Sequence, residues 1–253
     1  MRLLWLGALV GLGLWGGCDS PLVARPVTLA ELADHTLQFT LADVDSLERD
    51  SSLGAYRVTL VFGGSSSCVQ LTGDVTATLN GEPMKVAAGG VPDTGVGGRQ
   101  VCDPPSATYD FDPNQWKGAL ADIEILLQDG TSSVRLVLHD AKAKRSFMSS
   151  PSVSSGTLRR GQEQTFMWQP ASDPVPGSIS VGLVHKASGV SVTLPVEAPG
   201  PTARFLVPEG MVEGDYYLIL SGTADAQVGA CEGVAGCTGG IFHSEEFNVT
   251  VTP

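Results

Sequence analysis

The side chains able to do chemistry in this chain are five cysteines, four histidines and a scatter of carboxylates, and their spacing decides what each could do. The cysteines stand at Cys18, Cys68, Cys102, Cys231 and Cys237. In an oxidising compartment an odd count leaves one thiol for another use; setting Cys18 aside leaves four, which can pair in three ways. The arrangement most compatible with separate domains is Cys68 with Cys102 and Cys231 with Cys237. Loop-closure entropy makes the first bridge worth about 3.8 kcal/mol and the second about 2.4 kcal/mol, so both read as stabilisers. Zinc would need two closely spaced pairs, whereas the Cys231 and Cys237 pair is isolated, with His243 the only added candidate ligand. No metal and no cofactor is expected.

A catalytic histidine needs an orienting carboxylate and a nucleophile. His35, His139, His185 and His243 are scattered, and the sequence places neither partner beside any of them. They are expected in structural or surface roles. The run Gly63-Gly-Ser-Ser-Ser-Cys68 lacks the G-x-S-x-G spacing of a nucleophile elbow and reads as a turn. Asp110 with Asp112, and Asp122 with Glu124, would each share one side of an extended strand. That is the pattern of a solvated face as much as of glycosidase carboxylates, which stand roughly 5 to 9.5 Å apart across a cleft. Asp110-Phe-Asp112-Pro-Asn114 begins like a calcium loop, but Gln115 replaces its glycine and Ala121 its glutamate; Asp43-x-Asp45 fails with Glu48. Asn248-Val-Thr250 matches a glycosylation acceptor but lies in an expected strand. No glycine-rich loop leads into a helix, so phosphate and dinucleotide sites are unsupported. No catalytic residue is assigned, and the chain is expected not to be an enzyme.

Cys18 owes its separate treatment to what precedes it. Met1 and Arg2 lead into an apolar run, Leu3 to Trp15, which is shorter than the ~20 residues of a membrane span and is followed at once by Asp19 and Pro21. Residues 1–17 therefore read as a signal peptide. Leu14-Trp-Gly-Gly-Cys18 resembles the bacterial lipobox, with Trp15 where the motif usually carries Leu. The resemblance implies that Cys18 takes a diacylglycerol, with palmitate-type acylation, and becomes the mature amino terminus. The alternative is ordinary cleavage further on, for instance after Ala24, at a poor small-x-small site. With 15 basic and 27 acidic residues, the net charge of −12 sets the chain against phosphate backbones and makes nucleic acid an unsuitable partner.

The elements that must position these residues are strands. Among 253 residues, 31 Gly and 16 Pro argue against helical bundles. Behind a lead-in at 18–34, where Thr28-Leu-Ala-Glu31 has capping-box spacing, the hydrophobic period becomes two. Strands are expected at 35–43 and 55–62, a hairpin around Asn80-Gly81, and a second hairpin at 122–139 around Asp129-Gly130. Residues 88–99 are too glycine-rich to hold a strand and read as a loop. A basic, serine-rich boundary at 141–160 separates the halves, with 145–149 able to begin the next unit.

The second half spaces about seven strands over roughly 108 residues. Gly161-Gln-Glu-Gln-Thr-Phe-Met-Trp168-Gln-Pro170 and Gly214-Asp-Tyr-Tyr-Leu-Ile-Leu220 are similar to strands of fibronectin type III and related immunoglobulin-like domains. Ala77-Thr-Leu-Asn-Gly-Glu-Pro and the glycine loop running into Val101-Cys-Asp-Pro-Pro are similar in style to secreted lipoproteins of myxobacterial type. The expected fold is all-β: two tandem β-sandwich domains, 35–141 and an immunoglobulin-like 142–253, behind the lipoprotein signal peptide. Such a chain would sit in the cell envelope, tied to a membrane through its amino-terminal lipid and facing periplasm or cell surface. It would act as a non-catalytic structural or interaction module whose protein or glycan partner meets the loops at 88–99 and 231–237. Carbohydrate or cell-wall binding, with Tyr109, Phe111 and Trp116 as candidate stacking residues, and an uncharacterised hydrolase are the alternatives.

Overall fold

The computed structural model describes residues 22–45, 56–63, 68–91, 101–111, 122–143, 145–149, 156–171 and 177–253. Cys18 and the signal segment lie outside them, as do Asp112, Asn114, Trp116 and residues 92–99 of the glycine-rich loop. The protein is built almost wholly of strands. The first half contributes β1 (Arg25–Val27), β2 (Thr36–Asp45), β3 (Tyr56–Gly63), β4 (Val69–Leu71), β5 (Thr76–Leu79), β6 (Glu82–Pro83), β7 (Lys85–Ala87), β8 (Ser106–Asp110), β9 (Ile123–Gln128) and β10 (Ser133–His139). The second contributes β11 (Ser146–Ser149), β12 (Thr157–Arg159), β13 (Glu163–Gln169), β14 (Ser180–His185), β15 (Ser191–Leu194), β16 (Thr202–Leu206), β17 (Gly214–Asp225), β18 (Gln227–Glu232) and β19 (Gly236–Thr252).

Alternation decides which face each strand buries. Ile123, Ile125 and Leu127 of β9 and Val134, Leu136 and Leu138 of β10 all turn inward, each almost wholly buried. Each such side chain is worth about 1.5 to 3 kcal/mol of hydrophobic stabilisation. Asn80 and Gly81, with φ of 50° and 87°, make the left-handed pair that a two-residue hairpin requires. The β9–β10 turn is closed differently, by the Asp129 carboxylate accepting from the Thr131 and Ser132 backbone N–H groups and the Thr131 hydroxyl. These bonds, the Thr131 backbone first, hold the Asp129 carboxyl below its ordinary pKa.

In the second half, β11, β13 and β16 form one sheet. Opposite it run β15, β14, β17 and β19 in that order, with β12 parallel on the far edge of β19. The chain order, β11-β13-β16 against β15-β14-β17-β19, follows the A-B-E and C′-C-F-G order of an immunoglobulin-like sandwich. Trp168 is fully buried with Phe147 edge-on at 5.1 Å. At the entrance to β17, buried Tyr216 donates its hydroxyl to the Val212 carbonyl at 2.8 Å, a tyrosine corner.

In the first half, β2, β3, β8 and β7 continue that same nine-stranded sheet beyond β19, and β6, β5, β9 and β10 lie in another. Each gains a strand from the far end of the chain. The first ten residues of β19 pair in parallel with β2, from Gly236 opposite Thr36 to Glu245 opposite Asp45. β18 pairs antiparallel with β10. The expected division between 141 and 142 is therefore crossed by strand pairing on both sheets, and one hydrophobic core runs through both halves. The lead-in also belongs to this core from Arg25 onward: Val27, Leu29 and Leu32 are buried, and β1 lies parallel to β4. The Thr28 N–H and hydroxyl both donate to Glu31, half of the expected capping box, over a single 3-10 turn.

Candidate functional site

The molecule's most constrained polar cluster lies where β19 leaves the first half for the second. The segment feeding it, Ala226-Gln-Val-Gly-Ala-Cys-Glu-Gly-Val-Ala-Gly-Cys-Thr-Gly-Gly240, looks like a loop because glycine weakens strand propensity. Here glycine serves close approach instead. A Cβ at Gly239 would stand 2.0 Å from the Phe39 carbonyl oxygen, at Gly233 2.2 Å from that of Ser133, and at Gly222 2.5 Å from the Trp168 ring. At Gly229 it would meet the His139 ring. The absent side chains at Gly229, Gly233 and Gly239 let this segment press into the first half, and that at Gly222, on β17, leaves room for Trp168 of the second.

At the crossing sits His243, with no solvent exposure of its side chain, opposite Asp43 in the β2–β19 register and Gly222 in the β17–β19 register. Its Nδ1 lies 3.1 Å from Asp43 Oδ2 and its Nε2 3.0 Å from Glu245 Oε1. Phe147 stacks on the ring at 5.9 Å, and Trp168 meets it edge-on at 5.6 Å. Burial alone would lower the imidazole pKa, but the hydrogen bonds to Asp43 and then Glu245 outweigh it and raise it to about 9. The ring is thus an imidazolium at neutral pH, donating from both nitrogens. With both occupied and no access to water, it binds three strands' worth of side chains together and has no free nitrogen to offer a substrate. The neighbouring Ser244 hydroxyl pairs with that of Ser221 at 2.8 Å on the opposite face of the strand.

The other candidates are placed singly. His35 contacts Asp34, His139 contacts Asp122, and His185 contacts Ser188, each within 2.8 Å. Asp110 is taken by Arg57 and Glu124 by Arg135, both at 2.6 Å. Asp122 accepts from the Asp140 N–H as well as from His139, which lowers its pKa. Asn248 accepts from Lys186. Tyr109 and Phe111 pack against the core rather than presenting a stacking face. A surface cleft of about 480 Å³ runs beside Thr59, Val61, Gly89 and Asp103, and another of about 440 Å³ lies at the β9–β10 turn. His243 lines neither.

Cys68 and Cys102 stand at disulfide distance, sulfurs 2.14 Å apart, as do Cys231 and Cys237 at 2.07 Å. The second pair differs in setting from the stapled loop expected at one end of the second sandwich. Cys231 lies in β18 and Cys237 in β19, so it links strands serving opposite sheets of the first sandwich. Sequence reasoning missed the Asp43, His243 and Glu245 cluster. The alternation of His243 and Glu245 on one strand face was a legible sign; Asp43, 200 residues away, carried none.

No protein-family model matches the chain, and no curated protein does. Among solved structures, a protein described as a bacterial DNA binding protein from Bacteroides vulgatus is 16% identical over 38% of this chain and 41% of its own, with a TM-score of 0.25. A tetra-tandem repeat from the extending region of a large adhesion protein is 14% identical over 86% of this chain and 49% of its own, at 0.27. The chicken CNTN1 FN1–FN3 domains are 7% identical over 92% of this chain and 66% of their own, at 0.26. The chain thus spans less than half the length of the first two. These likenesses are too loose to carry functional weight, and the all-β assignment rests on the strand pairing itself.

Proposed function

We propose that this protein is a non-catalytic envelope lipoprotein, tethered through Cys18, whose joined sandwiches form a structural or interaction module at a membrane surface. One observation carries the reading: the four cysteines among the described residues stand two by two at bonding distance, leaving Cys18 as the odd thiol directly behind an apolar amino-terminal stretch of sequence. Paired cysteines suit an oxidising compartment. The acidic balance, −12 over the chain, sets the module against polyanionic partners and leaves proteins or glycans as the classes it would meet.

Metabolic labelling with a fatty-acid analogue, followed by membrane fractionation of the wild type and Cys18→Ser, tests the tether. Label and membrane association in the wild type, both lost in the variant, are the expected outcome. Label that persists in the variant, or a wild-type product that stays soluble and unmodified, overturns it. More than one reactive thiol in the mature chain without reductant would overturn the pairing.

A further inference from the structure

We propose that the parallel pairing of β2 with β19 is a force-bearing shear clamp, joining the strand that follows the amino-terminal lead-in directly to the last strand of the described chain. Sustained tension requires the attached amino end proposed above, on which this role rests; the clamp itself is a property of the strand order.

The geometry follows from which ends lie together. β2 begins at Thr36 beside Gly236, and the two strands run the same way for ten register pairs. β19 then continues to Thr252, the far end of the described chain. Tension between the two termini therefore pulls β2 backward and β19 forward along their common axis. Under that load the inter-strand hydrogen bonds strain together, whereas strands pulled apart from one shared end lose them one at a time. β19 cannot slide freely: twelve register pairs hold its other edge to β17, and beyond the clamp three more hold its last residues to β12 on the edge that β2 occupies earlier. β2 is likewise flanked by β3. Residues between the clamp strands, including the Cys68 and Cys102 pair, lie off the direct path, whereas Cys237 sits in the clamp opposite Leu37 and is joined there to Cys231 of β18.

The side chains fit this role. Gly239 brings the two backbones to a separation no Cβ would allow, opposite Phe39. Near the far end of the clamp, the His243 imidazolium ties β19 to Asp43 of β2, in a register pair the two residues share. The groups facing this pair are Glu245 on β19, Phe147 and Trp168 from β11 and β13, and Gly222 on β17; buried Arg145, ahead of β11, donates instead to the Ala141 and Ala143 carbonyls. The lead-in is held by fewer backbone pairs than the clamp, three between β1 and β4, together with the burial of Val27, Leu29 and Leu32.

Single-molecule force spectroscopy on the full chain tests the clamp by direction. One pair of handles is fused to the two termini. A second pair is attached at exposed Ala187 and Val212, which flank the same end of the β14–β17 pair and load it as a zipper. The expected result is a small early extension as the lead-in leaves, then a rupture force severalfold higher through the termini than through 187 and 212. Asp43→Asn should lower the terminal rupture force and leave the other geometry nearly unchanged. Equal forces in the two geometries, or an equal fall in both on Asp43→Asn, would overturn the clamp. Loss of lipid label would instead overturn the tether and leave the force ratio intact.

Discussion

His243 shows how a titrating group can be held in one state by its surroundings. Its side chain is fully buried, yet two carboxylates that keep partial contact with water neutralise it. Because its folded pKa, about 9, exceeds the ordinary 6.5, its stabilisation is complete below pH 6.5 and is lost as pH rises through 9. Thermal unfolding between pH 6 and 10 should show the wild-type midpoint falling on the alkaline side, with the fall absent in His243→Gln. At pH 7 that variant should lose roughly 2 to 3 kcal/mol, less than the 3 to 5 kcal/mol of wholly buried pairs, because Asp43 and Glu245 regain solvation. His243 and its alternation with Glu245 were legible in the sequence; Asp43 was not, since it lies on a strand drawn from the other end of the chain.

At the scale of elements, the β17–β19 hairpin departs most from expectation. Period-two alternation located β9, β10 and β13 within a residue and the start of β17 within two, although β17 runs on to Asp225, and Asn80-Gly81 announced its turn. β18 and the first half of β19 escaped because their glycines mimic a loop, although Gly229 and Gly239 stand where a ring or a neighbouring backbone comes too close for a side chain. Gly239→Ala should therefore destabilise the protein by about 3 kcal/mol, the upper part of the range for overpacking, since the obstruction is backbone. Gly210→Ala, with open space around the added carbon, should change stability little. Urea titration of both variants measures the contrast. β12 was missed for another reason: three residues are too few to show a period, and its partner on β19 lies over 90 residues away.

For the molecule as a whole, the consequence is cooperativity. The two halves share a core and a strand, so heat or urea should unfold them in one transition rather than two. A fragment ending at residue 143 keeps β1 to β10 but exposes β2 and β10 along the edges that β19 and β18 cover. It should show little protection of those strands in hydrogen exchange, whereas the intact chain protects them. The all-β class and the second sandwich could be read from composition and strand spacing. The joint between the halves could not, because it depends on pairings such as Thr36 with Gly236, which no local window contains. That long separation also orders events at birth. While the chain is still emerging from the ribosome, its first sandwich has both sheets open and must wait for residues 227–245 before either edge is closed. A nascent polypeptide held back from premature completion in this way stays threadable, the state a secretion channel accepts.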